Sequence, residues 1–173
     1  MIQSKQDRFL ALYEPIHNRF ERFCRARVYG EMEYTDLMNE TLLVGFEKFD
    51  SLKSDTSFLS FLFSIAVRIL ANNNRKMKPE RLNGTGKEVD PLSGESADHA
   101  TEVNLLHRAL SELSDDQREA LILFEISGFS IREVAEIQGA TEAAVKQRLK
   151  RGRERLADIL TYESTLKTGK EII

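Results

Sequence analysis

Between Pro79 and Thr101 the chain reads PERLNGTGKEVDPLSGESADHAT, a stretch with two of its three prolines, three of its nine glycines and no sustained apolar period. Proline withholds a backbone donor and glycine gives no side chain to pack, so no element of a shared core is expected to cross this stretch. A chain interrupted in this way folds as two bodies on a tether. Residues 83–100 are read as a flexible linker, whose eighteen residues span about 24 Å on average and about 60 Å when drawn straight.

On either side of the linker, apolar residues recur at helical spacing. Phe9, Tyr13, Ile16, Phe20, Phe23, Cys24 and Val28 predict one long amphipathic helix over 9–28. Thr35 is expected to cap a second helix that turns Leu37, Met38, Thr41, Leu42, Gly45, Phe46 and Phe49 inward, and Asp36, Asn39, Glu40, Leu43 and Glu47 outward. The polar run DSLKSDTS breaks the period before FLSFLFSIAVRILANNNRKMK resumes as a helix apolar nearly all round. Beyond the linker, Val103, Leu106, Ala109, Leu110 and Leu113 form a stripe. The segments Ser114–Gln117 and Ser130–Glu133 both have the form of a capping box, Gly139 suits a left-handed helix end, and Thr141 can cap the last helix. That helix carries the stripe Val145, Leu149, Gly152, Leu156 and Leu160. No strand pattern is present, so the expected fold class is all-α, with two small helical domains over 1–82 and 101–163 and a tail over 164–173.

The formal net charge is −3, yet between Lys146 and Arg155 six cations face one anion, Glu154. A short helix, a glycine turn and a capped basic helix make the sequence form of a helix-turn-helix, whose second helix enters the major groove by its N-terminal end. Lys146, Lys150 and Arg151 suit phosphates, and Gln147 and Arg148 have the donor and acceptor geometry to read base edges beside Thr141 and Glu142. An acidic chain can bind DNA through a basic face because counterion release is local.

Other chemistries lack their parts. His17, His99 and His107 have no paired spacing for a metal or a triad, and Cys24 is the only thiol, so neither enzyme activity, a metal site, a cofactor nor a disulfide is expected. The N-terminal stretch has no long apolar core, and no run approaches the ~18 apolar residues of a membrane span, which points to the cytoplasm and to no membrane insertion. The rival readings are a regulator that binds operator DNA as a dimer, and a module that only holds another helix; the second leaves the basic helix unexplained.

Over residues 8–160 the chain resembles the sigma factors of bacterial RNA polymerase, of the small extracytoplasmic-function (ECF) type that keeps only regions 2 and 4. Gln117-Arg118-Glu119-Ala120, Gly128, Glu133-Val134-Ala135 and Val145-Lys146 with Arg148 are similar to region 4, which in that family binds the minus-thirty-five promoter element. DLMNETLLVGFEKF resembles the region 2 helix that docks on the coiled coil of the polymerase β′ subunit, which implies contacts by Asp36, Asn39, Glu40 and Leu43. FLSFLFSIAVRILANNNRK resembles the segment that recognises and helps open the minus-ten element. The loop Leu52, Lys53, Ser54, Asp55, Thr56 and Ser57 would offer a pocket for an extruded base, with Phe61, Arg68, Arg75 and Lys76 beside it. Phe61 stands where the family has tryptophan, Arg68 where it has asparagine, Asn72 where it has aspartate, and Asn39 where it has glutamine. The resemblance implies core RNA polymerase (β′ coiled coil and β flap), promoter DNA and an anti-sigma factor as partners.

Overall fold

The structure, a computed structural model, describes residues 4–77 and 97–170. Eight α-helices occur there: α1 (Lys5–Tyr13), α2 (His17–Arg27), α3 (Tyr34–Glu47), α4 (Phe58–Met77), α5 (Ala97–Ser111), α6 (Asp115–Leu121), α7 (Ile131–Gln138) and α8 (Glu142–Lys170). There is no strand among the described residues. The expected linker lies outside the described residues except for 97–100, which open α5. Helix α8 runs on to Lys170, past the position where a tail is expected to begin.

The single helix expected over 9–28 is two. Pro15 sits in a 3-10 turn, Glu14–Ile16, between α1 and α2, because its ring excludes the donor an unbroken α-helix needs there. The apolar stripe survives the break: Phe9, Tyr13, Phe20, Phe23 and Cys24 are all buried. Phe9 meets Phe46, Phe49 and Phe58 edge-on, with ring centroids 5.5, 5.2 and 5.3 Å away, the arrangement that the ring quadrupole favours. Thr35 does not cap α3: Glu33 takes the N-cap position with extended backbone and no side-chain bond. Phe46 lies at the edge of the core, 36% exposed, while Phe49 in the next turn is buried.

Helix α4 is the spine of this half, with Phe58, Leu62, Phe63, Ile65, Ala66, Ile69 and Leu70 buried. Contrary to the expectation that no segment matches a membrane span, Asp55–Lys76 is long and apolar enough to cross a membrane by length and composition. Its apolar content is accounted for by the neighbours that cover it on several sides, α3 on one and α7 on another. Cys24, 0% exposed, is a small apolar filler whose thiol is pushed up by burial.

In the second half Ser114 accepts from the Gln117 amide at 3.4 Å, while Ser130 and Glu133 form the complete reciprocal box. Helix α6 ends in a π-helical turn, Ile122–Ile126, closed by a bond from the Ser127 amide to the Ile122 carbonyl at 2.8 Å. The wider turn buries Ile122 and Leu123 together and leaves Phe124 and Ile126 half-buried. On α8 the stripe Val145, Leu149 and Gly152 is buried as expected, but Ile159, not Leu160, continues it. Four turns of ~3.6 residues from Val145 end nearer 159 than 160.

The two halves are packed against each other. Phe63 of α4 meets Phe129, just ahead of α7, at 4.8 Å. Arg19 of α2 lies over the same Phe129 ring at 4.5 Å and donates to the Ser127 carbonyl at 2.5 Å. Tyr29 stacks on His107 of α5 at 5.1 Å.

Candidate nucleic-acid and polymerase interfaces

The helix-turn-helix is built by local bonds. The Ser130 hydroxyl accepts from the Glu133 amide at 3.2 Å and the Glu133 carboxylate accepts from the Ser130 amide at 2.8 Å. That backbone bond holds the Glu133 carboxyl below its ordinary value. At the far end Gly139 is left-handed, with φ 61°, and the Ala140 amide reaches back to the Ala135 carbonyl at 2.9 Å, the six-residue closure that ends a helix cleanly. Thr141 then accepts from the Ala144 amide at 3.1 Å and starts α8. Close approach fixes the depth of α8: a Cβ on Gly152 would stand 2.9 Å from Leu121 Cδ1 on α6.

Because Glu133 is depressed, its stabilising bond is fully present above the ordinary carboxylate pKa, about 4.3, and is lost as pH falls through the depressed value. Protection of the first-turn amides of α7, taken relative to their intrinsic exchange rate at each pH, is therefore expected to fall in acid, and Glu133→Gln to remove most of that acid dependence.

The frame places Glu142, Lys146, Gln147, Lys150 and Arg151 on the exposed side of α8, with Thr141 at its start. Arg148 is turned inward. Its side chain, 25% exposed, donates to Gln138 at 2.9 Å and lies 3.4 Å from Asp116. Gln138 in turn donates to Glu119 at 2.9 Å and to the Asp116 carbonyl at 3.2 Å. Arg148 therefore ties α6, α7 and α8 together.

In the first half, Phe61, Arg68 and Arg75 are seven residues apart on α4 and share one stripe. Arg68, Arg75 and Lys76 are exposed and Phe61 is half-buried against Phe58. The preceding loop is anchored by Leu52, which packs on the core, while Lys53, Ser54, Asp55, Thr56 and Ser57 are exposed. Ser54 and Thr56 share a hydroxyl bond at 2.8 Å, and Asp55 is ion-paired with Arg8 of α1. On α3, Asp36, Asn39, Glu40 and Leu43 are all exposed on one face, with Leu43 61% exposed. Two neighbours not foreseen extend that face: Phe46, and Leu10 of α1 at 45% exposure, which border an open apolar cleft with Gln6 and Phe9. Leu10 sits one position off the core stripe of α1, and that offset is the only sequence sign of it.

Residues 104–156 match the family model for sigma-70, region 4. The ECF RNA polymerase sigma factor EcfG of Rhodopseudomonas palustris is 33% identical over 137 residues, covering 79% of this chain and 76% of the relative. The chain belongs to the ECF RNA polymerase sigma factors. The sigma factor SigM of Mycobacterium tuberculosis is 27% identical over 157 residues, covering 91% of this chain and 79% of its own. The sigma factor RpoE of Bartonella quintana, solved in complex with the anti-sigma factor NepR, superposes with a TM-score of 0.72 at 26% identity, over 88% of this chain and 98% of that one. As a sigma factor the protein binds core RNA polymerase, directs it to promoters and takes part in opening the DNA; the dimeric operator-binding reading gives way to this one.

Proposed function

We propose that three exposed surfaces divide the work of this sigma factor. The α3 face of Asp36, Asn39, Glu40 and Leu43 docks on the β′ coiled coil, with Phe46 and Leu10 extending its apolar centre. The loop 52–57, with Phe61, Arg68, Arg75 and Lys76, holds the minus-ten element, an exposed polar pocket leading into a cationic track. The start of α8 holds the minus-thirty-five element. Thr141, Glu142, Lys146, Gln147, Lys150 and Arg151 face the groove, and Arg148 sets the angle of the helix that carries them.

Residues 1–82 and 97–163 act as the two bodies, since 97–100 open α5, and 83–96 act as their tether. The protein works by binding rather than catalysis, in the cytoplasm beside the polymerase, whose β flap is a further contact. An anti-sigma factor is its third partner, supported by the likeness to RpoE, which was solved with one.

The observation that carries the upstream contact is the exposure of Lys146, Gln147, Lys150 and Arg151 along α8 beyond its Thr141 cap. Each phosphate contact removed lowers the slope of log affinity against log salt by about 0.9. Lys146→Ala with Lys150→Ala is expected to lower the slope of holoenzyme binding to its promoter by about 1.8, leaving capture of core polymerase intact. An unchanged slope would remove both lysines from the interface.

A further inference from the structure

Two arginines, one from each half, lie in the seam between the halves, and each is 1% exposed. Arg118 of α6 reaches back to Glu31 of the first half at 2.6 Å and to Asp115 at 2.9 Å. Arg27 of α2 reaches forward to Glu119 at 3.4 Å and to Asp115 at 3.7 Å, and lies 3.7 Å from Glu31. Asn74, near the end of α4, donates to Asp115 at 2.8 Å. Each half thus supplies the counter-charge for the other's buried cation, and Phe63 against Phe129 under Arg19 closes the apolar side of the same seam.

Nothing in the function of either half calls for this exchange. The docking face on α3 and the cations of α8 are exposed with the seam closed. What the closed seam prevents is reach. On the proposed promoter contacts, on which this inference rests, the two elements lie about 25 base pairs apart, about 85 Å at 3.4 Å per step. A compact chain of 173 residues has a radius of gyration of about 16 Å and a diameter of about 40 Å. Nineteen residues, 78–96, separate α4 from α5, a length that spans about 65 Å at full extension.

We propose that the Arg27–Glu119 and Arg118–Glu31 exchange is a latch that holds the free sigma factor closed, and that it opens as the factor joins polymerase and takes up a promoter. The latch is built to release. Arg27 reaches Glu31, Asp115 and Glu119 only at 3.4 to 3.7 Å, and a buried ion pair recovers little beyond the cost of drying its charges, so both cations can exchange these partners for solvent when the seam opens. Docking by the exposed α3 face precedes opening, since that face needs no movement to be reached.

Small-angle scattering of the full chain tests this without polymerase or DNA. The wild type is expected at about 16 Å. Arg118→Glu and Glu31→Arg, each of which sets like charges together, are expected to raise the radius by about a half. The combined Glu31→Arg and Arg118→Glu chain, with the charges exchanged, is expected to return to the compact value. A wild type already extended, singles that stay compact, or a double that stays extended each overturn the latch. Should a single variant lose helicity, the neutral pair Glu31→Gln and Glu119→Gln, which withdraws one carboxylate from each side of the exchange, gives the same readout, and a compact chain then counts against the latch. Lys146→Ala with Lys150→Ala stays compact in this measurement whether or not it binds promoters, so failure of the latch and failure of the promoter reading are separable.

Discussion

Glu40→Lys and Leu43→Asp are each expected to lower capture of core RNA polymerase at least a hundredfold, with helicity and thermal melting unchanged. A hundredfold loss is about 2.7 kcal/mol, within the range of one hot-spot residue at a protein interface. Leu43 has the setting of such a residue. A single exposed leucine is ordinary, but Leu43 at 61% exposure continues into Phe46 at 36% and Leu10 at 45%, and Asp36, Asn39 and Glu40 rim it on the same helix face. An apolar centre ringed by carboxylates fits a helix with an apolar ridge and cationic flanks. Neither exchanged side chain supports the fold, because Leu43 is the outward residue of α3 and Glu40 makes no ion pair among the described residues. The measurement is pull-down of purified core enzyme across a concentration series. Undiminished capture by both variants would take α3 out of the polymerase interface.

What can be read from the sequence is what is set by neighbours along the chain. Ser130 with Glu133, Gly139 and Thr141 each act within three or four residues, so α7, the turn and the start of α8 are dictated by spacing alone. The inward stripe of α4 is legible from composition for the same reason. Pro15 is masked by its surroundings: the apolar steps Tyr13, Ile16 and Phe20 continue across it, because a single 3-10 turn shifts the phase too little to break the pattern. Arg148 has the sequence setting of a base reader because Gln138 and Asp116, which hold it, come from other helices. Arg27, Glu31, Arg118 and Glu119 sit in charged runs that resemble solvated helix faces. Their burial depends on one half meeting the other, and no local spacing records that meeting.

Arg27→Ala is expected to cost about 3–5 kcal/mol at neutral pH, the usual loss when one partner of a buried pair is removed and the other charge stays behind. The charge left behind is Glu119, 6% exposed. Burial already raises its carboxyl above the ordinary value, and the Arg27 guanidinium is the largest influence pulling it back, ahead of the Gln138 bond. A group whose folded pKa is raised contributes stability that is fully present below its unfolded pKa and is lost as pH rises through the folded one. Taking Arg27 away moves the folded value of Glu119 further up, so its burden shrinks on acidification, when the buried carboxyl takes up a proton and becomes neutral. Urea unfolding from about pH 8 down to about pH 5, above the ordinary carboxylate range, is therefore expected to show the variant gaining more stability on acidification than the wild type, and so recovering part of its loss. Equal losses at both ends of that range would mean that the deficit comes from packing around the missing side chain and not from an orphaned carboxylate. A variant as stable as the wild type throughout would mean that Arg27 and Glu119 are not buried together in solution.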